Sequence, residues 1–291
     1  MKIQDILTKT RTISFEFFPP REATGINAVL NKIESLQSYS PNFISVTYGA
    51  GGSTRKFSEE LTTKAKTQYD VEVMAHLTCV GHTVKELDEI LERLEASDIE
   101  NIIALRGDLP NHQRINLTDD SGFEYASDLI SHLNRIYSFG IGAACYPEGH
   151  PEAVSFEHDI RYAKLKVENG ADFLITQLFY DNDDFFRFVD KARAIGINVP
   201  IIPGVLPVLS SNQIRKFTRL CGARIPPDLE MQLAKYENDD EGARAMGVEY
   251  ATCQVQGLWD SGVSGIHFYV LNRSYSVSKI LDNLRLERSL L

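Results

Sequence analysis

Glu16, Thr47, His76, Arg106 with Asp108, Tyr146 and Gln177 each fall near the C-terminal end of a different apolar run. They are residue types that move protons and hold polar ligands. Glu16 is the most informative of them. It lies inside Ile13-Ser14-Phe15-Glu16-Phe17-Phe18, a run that stops at Pro19-Pro20. A carboxylate within a buried strand costs several kcal/mol of desolvation unless it is paired or protonated. Three flanking phenylalanines are expected to raise its pKa, which suits a general acid near neutral pH. The competing reading is an edge strand with Glu16 turned to water.

The other residues also admit plainer roles. His76 suits a satisfied core histidine, Thr47 a strand hydroxyl bonded to backbone, and Gln177 a structural amide. Arg106 and Asp108 suit a simple ion pair. The glycines of Tyr48-Gly49-Ala50-Gly51-Gly52-Ser53-Thr54 make a loop whose N–H groups could approach a ligand closely. Glu16, His76, Asp108 and His150 match no metal-binding spacing, so no metal is expected.

The elements that must position these residues alternate along the chain. Apolar or β-branched runs recur at Ile13–Phe18, Phe43–Tyr48, Val71–Val80, Asn101–Gly107, Ile141–Tyr146, Phe173–Tyr180, Ile201–Val205 and Ile266–Leu271. Between them, apolar residues three or four apart mark helical faces: Val84-Leu87-Leu91-Leu94, Ala126-Leu129-Ile130-Leu133-Ile136, and Phe185-Phe188-Val189-Ala192. Strand–helix alternation implies parallel strands with helical crossovers. Eight such units in 291 residues fit an α/β fold of the (β/α)8 TIM-barrel type; an open doubly wound sheet is the alternative. No GxGxxG follows the first strand, which weakens the dinucleotide-fold version of that alternative.

Residues 224–241, with Pro226-Pro227 and an acidic run, predict an inserted helix and turn before the last helix and strand, and Tyr275–Leu291 predicts a closing helix. No linker appears, so residues 1–291 are expected to form a single domain. Strand side chains alternate faces, so Ser45 with Thr47, Met74 with His76 and Thr78, and Arg106 with Asp108 could all point into the barrel lumen. Together with Glu16 they would build a polar mouth at the end of the barrel where such folds carry their sites.

Composition narrows the partners. The chain is 43% hydrophobic, enough for a large core, and carries a net charge of −10. That charge and the lack of a basic tract argue against nucleic acid, and any bound phosphate would need local Arg or Lys. Cys79, Cys145, Cys221 and Cys253 form no CxxC pair and no zinc spacing, as suits a reducing compartment. No apolar run reaches a membrane span, and the first residues lack a signal-peptide core, so a soluble cytoplasmic protein is expected.

Several runs then carry a family resemblance. Phe15-Glu16-Phe17-Phe18-Pro19-Pro20, Thr47-Tyr48-Gly49-Ala50-Gly51-Gly52-Ser53-Thr54-Arg55, His76-Leu77-Thr78-Cys79 and Ala104-Leu105-Arg106-Gly107-Asp108-Leu109-Pro110 resemble bacterial 5,10-methylenetetrahydrofolate reductases. So do Tyr125-Ala126-Ser127-Asp128-Leu129, Tyr146-Pro147-Glu148-Gly149-His150-Pro151-Glu152, Thr176-Gln177-Leu178-Phe179, Ile202-Pro203-Gly204 and Phe268-Tyr269-Val270-Leu271-Asn272-Arg273, all in the family's order. The length resembles the catalytic barrel alone, without the regulatory domain of eukaryotic members.

The resemblance implies a (β/α)8 flavoprotein holding FAD. Such an enzyme oxidises NADH or NADPH and then reduces methylenetetrahydrofolate to 5-methyltetrahydrofolate for methionine synthesis, commonly as a homo-oligomer. By the same resemblance Glu16 is the general acid that opens the folate ring to a 5-iminium cation, which then takes hydride. Asp108 is the aspartate near flavin and pterin, Gln177 the amide on the pterin, and Phe217 the aromatic that stacks on either substrate. Gln213, Tyr269 and Arg273 are further substrate contacts. The matching FAD positions are Thr47, His76, Leu105, Arg106, Gly107, Asp108, Tyr125, Ala126, Ala144, Tyr146, His150, Asp159, Lys166 and Ile175. Tyr162 and Leu165 depart from a well-known bacterial pattern that has Asn and Arg there, near the adenosine end of FAD. Two other readings stay open: a flavin barrel such as proline dehydrogenase, and a folate- and flavin-binding subunit that takes electrons from a partner protein.

Overall fold

The computed structural model describes residues 1–48, 54–107 and 122–284. Asp108 and the glycine loop 49–53 lie outside the described residues. Every strand pairs in parallel with its neighbours. The strands are β1 (Thr12–Phe17), β2 (Phe43–Val46), β3 (Glu72–Thr78), β4 (Asn101–Leu105), β5 (Gly140–Cys145), β6 (Phe173–Thr176), β7 (Ile201–Ile202), β8 (Gly204–Val205) and β9 (Gly265–Tyr269).

β7 and β8 are two halves of one strand. Proline has no N–H to give a ladder, and Pro203 interrupts the run. Before the break β7 pairs with β6; after it β8 pairs with β9, and the Pro203 carbonyl accepts from the His267 N–H at 3.0 Å. Because β9 also pairs with β1, the ladder runs round as a nearly closed eight-membered barrel. The open-sheet alternative is thereby set aside.

Helices cover the outside: α1 (Ile3–Leu7), α2 (Ile26–Leu36), α3 (Arg55–Gln68), α4 (Val84–Ala96), α5 (Ala126–Ile136), α6 (Phe156–Glu168), α7 (Asn182–Ala194), α8 (Ser211–Cys221), α9 (Pro227–Lys235), α10 (Asp240–Asp260) and α11 (Ser274–Asn283). Their starts follow local chemistry. Thr83 and Glu86 form a capping box at α4, and Ser155, Asp181, Ser210 and Asp239 cap α6, α7, α8 and α10. The predicted helical faces are buried, through Leu87, Leu91 and Leu94, then Leu129, Ile130 and Leu133, then Phe185, Phe188 and Ala192. Ile136, expected on the α5 face, is instead exposed at that helix's last turn. The inserted helix is α9, and the closing helix is α11; residues 285–291 lie outside the described part. Among the described residues no helix is long and apolar enough to cross a membrane.

Alternation along each strand sorts the core into two shells. Ile13, Phe15 and Phe17 of β1, Ile44 and Val46 of β2, and Val73, Ala75 and Leu77 of β3 pack outward against the helices. Phe43, Met74, Ile103, Phe173, Ile175 and Ile202 pack inward with Ile3. Short α1 thus plugs the N-terminal end of the barrel. Asn101 holds it there, accepting from the Ile3 N–H at 2.8 Å and donating to the Met1 carbonyl at 3.0 Å. One end of the lumen is therefore apolar and sealed, which leaves the C-terminal ends of the strands to carry chemistry.

Candidate active site

Inward positions just above the apolar plug are polar. On β1 they are Ser14 and Glu16, on β2 Ser45 with Thr47 just beyond its end, on β3 His76, and on β9 His267 and Tyr269. Parallel registry sets Ser14 beside His267 and Glu16 beside both Ser45 and Tyr269. The residues converge on Glu16, which is 7% exposed. Its Oε2 lies 3.4 Å from His76 Nε2 and 3.6 Å from His267 Nε2. Both distances are within Coulombic reach but long for a hydrogen bond. Glu16 makes no side-chain hydrogen bond to another described residue, so its carboxyl is left for a ligand.

His267 is fixed on several sides. Ser14 Oγ lies 2.8 Å from its Nδ1 and Ser45 Oγ 3.5 Å from its Nε2. Phe43 stacks under the ring at a centroid distance of 5.9 Å, and Tyr269 meets it edge-on at 5.6 Å. His76 is different. Burial pushes its pKa down to about 4, with Glu16 opposing and His267 reinforcing the shift. Its Nε2 is buried without a hydrogen-bond partner among the described residues. Tyr269 crosses the lumen and donates its hydroxyl to the Thr176 carbonyl at 2.6 Å. A side chain at Gly204 would lie 2.6 Å from that hydroxyl oxygen, so the crossing needs glycine on β8. Burial raises the Tyr269 pKa well above its ordinary value.

The surroundings of Glu16 differ from those its sequence neighbours suggest. Phe15 and Phe17 lie on the opposite face, in the outer shell. Imidazoles and hydroxyls from other strands surround the carboxylate instead, and the edge-strand reading fails because β1 is paired on both sides.

Of the polar residues expected at strand ends, Glu16, Thr47, His76, Tyr146 and Gln177 share the inward parity. Arg106 does not. β4 ends at Leu105, and alternation places Arg106 with the outward Ile102 and Ala104. Its guanidinium reaches Glu152 instead, at 2.8 Å. The next residue, Gly107, has φ +87°, and a side chain there would meet Thr78 Cβ at 3.0 Å. Asp108 falls outside the described residues, so its pairing with Arg106 is not at issue in the structure.

A second group lies at the rim between β4, β5 and α6. Lys166 Nζ, on α6, donates to the Ala144 carbonyl at 2.8 Å. Burial lowers the Lys166 pKa, with Asp159 opposing; burial raises that of Asp159, with Lys166 opposing. His150 is half-buried near both and near Arg106, and burial lowers its pKa. Tyr125 and Ala126 start α5, the tyrosine 46% exposed. Leu105, Ala144 and Ile175 are on inward parity between this group and the lumen. Tyr162 and Leu165 lie on the exposed side of α6.

The remaining predicted contacts surround the mouth on the β6–β9 side. Gln177 Oε1 accepts from the Leu178 N–H at 2.8 Å, which leaves its NH2 group to donate elsewhere. Gln213 and Phe217 are one turn apart on α8, and Phe217 packs on a satellite cluster that includes Leu178, Tyr180 and Ile214. Arg273 is exposed at the N-terminal cap of α11, where it lines a cleft with Asn272 and Lys279. Sequence reasoning missed Ser14, Ser45 as a partner and His267. The available signal was alternation: Ser14 precedes Glu16 by two, and His267 precedes Tyr269 by two. It also missed Glu148, whose carboxyl burial pushes up to about 7 while Oε1 accepts from the Arg224 N–H at 2.8 Å.

The fold and mouth define a (β/α)8 barrel with a buried carboxylate at its centre and a cationic rim beside it. Comparison with known proteins then fixes the family. Residues 2–285 match the sequence profile of the methylenetetrahydrofolate reductase family, and the chain belongs to it. It is 39% identical over 274 residues to the 5,10-methylenetetrahydrofolate reductase of Escherichia coli, covering 92% of this chain and 90% of that one. It is 37% identical over 297 residues to methylenetetrahydrofolate reductase (NADH) 1 of Arabidopsis thaliana, covering 98% of this chain and 50% of that one. The chain thus spans about half the length of the plant relative. A solved structure of an uncharacterised Clostridium thermocellum protein that binds two copies of 5-methyl-5,6,7,8-tetrahydrofolic acid superposes with a TM-score of 0.65 at 15% identity. It covers 96% of both chains and supports the barrel fold.

Proposed function

We propose that residues 1–291 form one FAD-binding catalytic barrel that reduces 5,10-methylenetetrahydrofolate to 5-methyltetrahydrofolate with electrons from NADH or NADPH. The observation that carries the proposal is Glu16: a buried carboxylate at the barrel mouth, flanked by two imidazoles and hydrogen-bonded to nothing described. The residues at the mouth fit FAD. Orphaned His76 Nε2 faces the lumen, Gly107 leaves no room for a side chain, and Arg106 and Lys166 supply cations at the rim where a diphosphate needs them. Bound FAD would supply the hydride carrier between nicotinamide and folate.

The chain's own residues prepare and hold the substrate. Glu16 gives its carboxyl proton to the folate, whose imidazolidine ring opens to the 5-iminium cation. No described Lys or Arg pairs with Glu16, whose nearest described neighbours of basic type are the imidazoles of His76 and His267. His267, held by Ser14 and Phe43, keeps the carboxyl aimed into the lumen. Gln177 donates its free NH2 group to the pterin, and Phe217 stacks on either substrate in turn. Gln213, Tyr269 and Arg273 complete the substrate contacts. By family resemblance Asp108, which lies outside the described residues, would stabilise the folate cation and make a bound flavin harder to reduce. Family resemblance supports a cytoplasmic homo-oligomer whose product supplies methyl groups for methionine synthesis.

Glu16→Gln tests the assignment. It should keep NAD(P)H oxidation with an artificial acceptor and lose folate reduction by about 10²- to 10⁴-fold, the usual range for a general acid. Equal loss of both half-reactions would overturn it.

A further inference from the structure

The turn after β5 carries a carboxylate that the reaction proposed above does not use. Gly149 has φ +90° and its N–H donates to the Tyr146 carbonyl at 3.1 Å, so Tyr146-Pro147-Glu148-Gly149 reverses the chain tightly. Tyr146 and His150 meet edge to face across the turn at a centroid distance of 4.6 Å. Both are positions that the family resemblance matches to FAD. Glu148 reaches from this turn to a different element. Its Oε1 accepts from the Arg224 N–H at 2.8 Å, just past Gly222, the C-cap of α8. The Arg224 guanidinium in turn donates to Asp181 and Asp184 at the start of α7, at 2.9 Å each.

Two further features make this contact matter at the mouth. Ile214 is the one large apolar side chain that α8 buries, beside Ser211 and Thr218, and it packs in the satellite cluster rather than the main core. An element with so little buried apolar surface depends on the polar contacts at its ends. The end of α8 also meets the same loop a second time. A side chain at Gly222, whose φ is +74°, would lie 2.9 Å from Pro151 Cγ. Between the two segments Tyr146, Glu148, Gln177, Cys221 and Ala223 line a crevice. α8 carries Gln213 and Phe217, and the crevice wall carries Gln177. The Glu148–Arg224 contact therefore sets the spacing between side chains assigned to the substrate.

We propose that Glu148 is a positioning residue: through Arg224 it latches the end of α8 to the turn after β5, and so fixes where Gln213 and Phe217 stand relative to Gln177. The proposal rests on the folate reading above for what those side chains meet. The surrounding charges make the latch sensitive to pH. Glu148 faces Arg224 beyond α8, Cys221 on α8, and Asp184 and Arg187 on α7, with Tyr146 and His150 beside it in its own turn. Burial pushes its carboxyl from 4.5 up to about 7, with Asp184 reinforcing and Arg224 and Arg187 opposing. The closed latch thus takes up a proton that an open, solvated Glu148 does not. Linkage gives the sign: the latch is tightest at low pH and weakens as pH rises through about 7. The neutral carboxyl keeps an oxygen to accept the Arg224 N–H, and so would a glutamine amide.

The test uses the full chain, with hydrogen exchange of the Ser211–Cys221 amides followed by mass spectrometry and steady-state kinetics run beside it. Glu148→Ala should speed exchange across α8 about tenfold and leave the barrel strands unchanged, the effect expected from losing one buried hydrogen bond. It should raise the KM for methylenetetrahydrofolate several-fold with kcat little changed. Glu148→Gln should restore the protection. Between pH 5 and 8 wild-type protection, corrected for intrinsic exchange, should fall about tenfold or more while that of the glutamine variant stays flat. Circular dichroism checks that the barrel is intact. Unchanged α8 protection in Glu148→Ala, a glutamine variant that behaves like the alanine one, or a pH dependence shared by wild type and Glu148→Gln would overturn the inference. So would a loss of kcat at constant KM, which would place Glu148 in the chemistry itself. Altered α8 protection in a protein that does not turn over methylenetetrahydrofolate would keep the latch and defeat the proposed activity; turnover with α8 protection indifferent to Glu148 would do the reverse.

Discussion

Replacing His76 by glutamine should flatten the acid side of the stability profile. His76 is 8% exposed, and the titratable groups nearest it are Glu16 at 3.4 Å and His267 of β9. Burial outweighs the attraction of Glu16 and lowers the imidazole from 6.5 to about 4. Between those values the unfolded chain binds a proton that the folded chain refuses. Linkage then fixes the sign: the stability gained by keeping His76 neutral is intact above about pH 6.5 and is lost as pH falls toward about 4. At 1.36 kcal/mol per pH unit the loss approaches about 3 kcal/mol. The glutamine variant lacks this titration. Equilibrium urea unfolding, followed from neutrality to about pH 4, should therefore show the variant gaining about 3 kcal/mol on the wild type, whatever their offset at neutrality. Parallel curves, or a wild type that gains on the variant as pH falls, would refute the reasoning.

Other substitutions probe other parts of the site. His267→Leu should slow folate reduction by about tenfold or more while sparing NAD(P)H oxidation, because it removes the ring that aims Glu16; half-reaction kinetics separate the two. Lys166→Met should weaken FAD binding by about tenfold, measured by flavin fluorescence during titration, as the rim loses a buried cation beside Asp159. Gly204→Ala forces a Cβ to within 2.4 Å of the Thr176 carbonyl and 2.6 Å of the Tyr269 hydroxyl, and should cost about 1–3 kcal/mol in a thermal melt.

The architecture was legible because buried parallel strands leave nearly continuous apolar runs. All eight predicted runs contain a strand, and the extra helix before β9 stands where Pro226-Pro227 suggested it. Glu16, Thr47, His76, Tyr146 and Gln177 were legible through their position at the ends of those runs. What escaped was whatever depends on closure. Ser14 and His267 are 253 positions apart, and only the β1–β9 registry makes them partners. Arg106's place near the end of the Asn101–Gly107 run, on one face with Asp108, suggested the lumen, but alternation puts Arg106 with the outward Ile102 and Ala104. The Pro203 break was hidden in a run that looked continuous, and α1 is too short for periodicity to mark it as the plug.

The proposed function requires one flavin at this mouth to take electrons from NAD(P)H and give them to methylenetetrahydrofolate. The visible spectrum of the purified protein tests it directly, with NADH and then methylenetetrahydrofolate added anaerobically. The flavin absorption should bleach with NADH or NADPH and return with the folate. A protein that takes up no FAD, or whose bound flavin neither nicotinamide reduces, would contradict it.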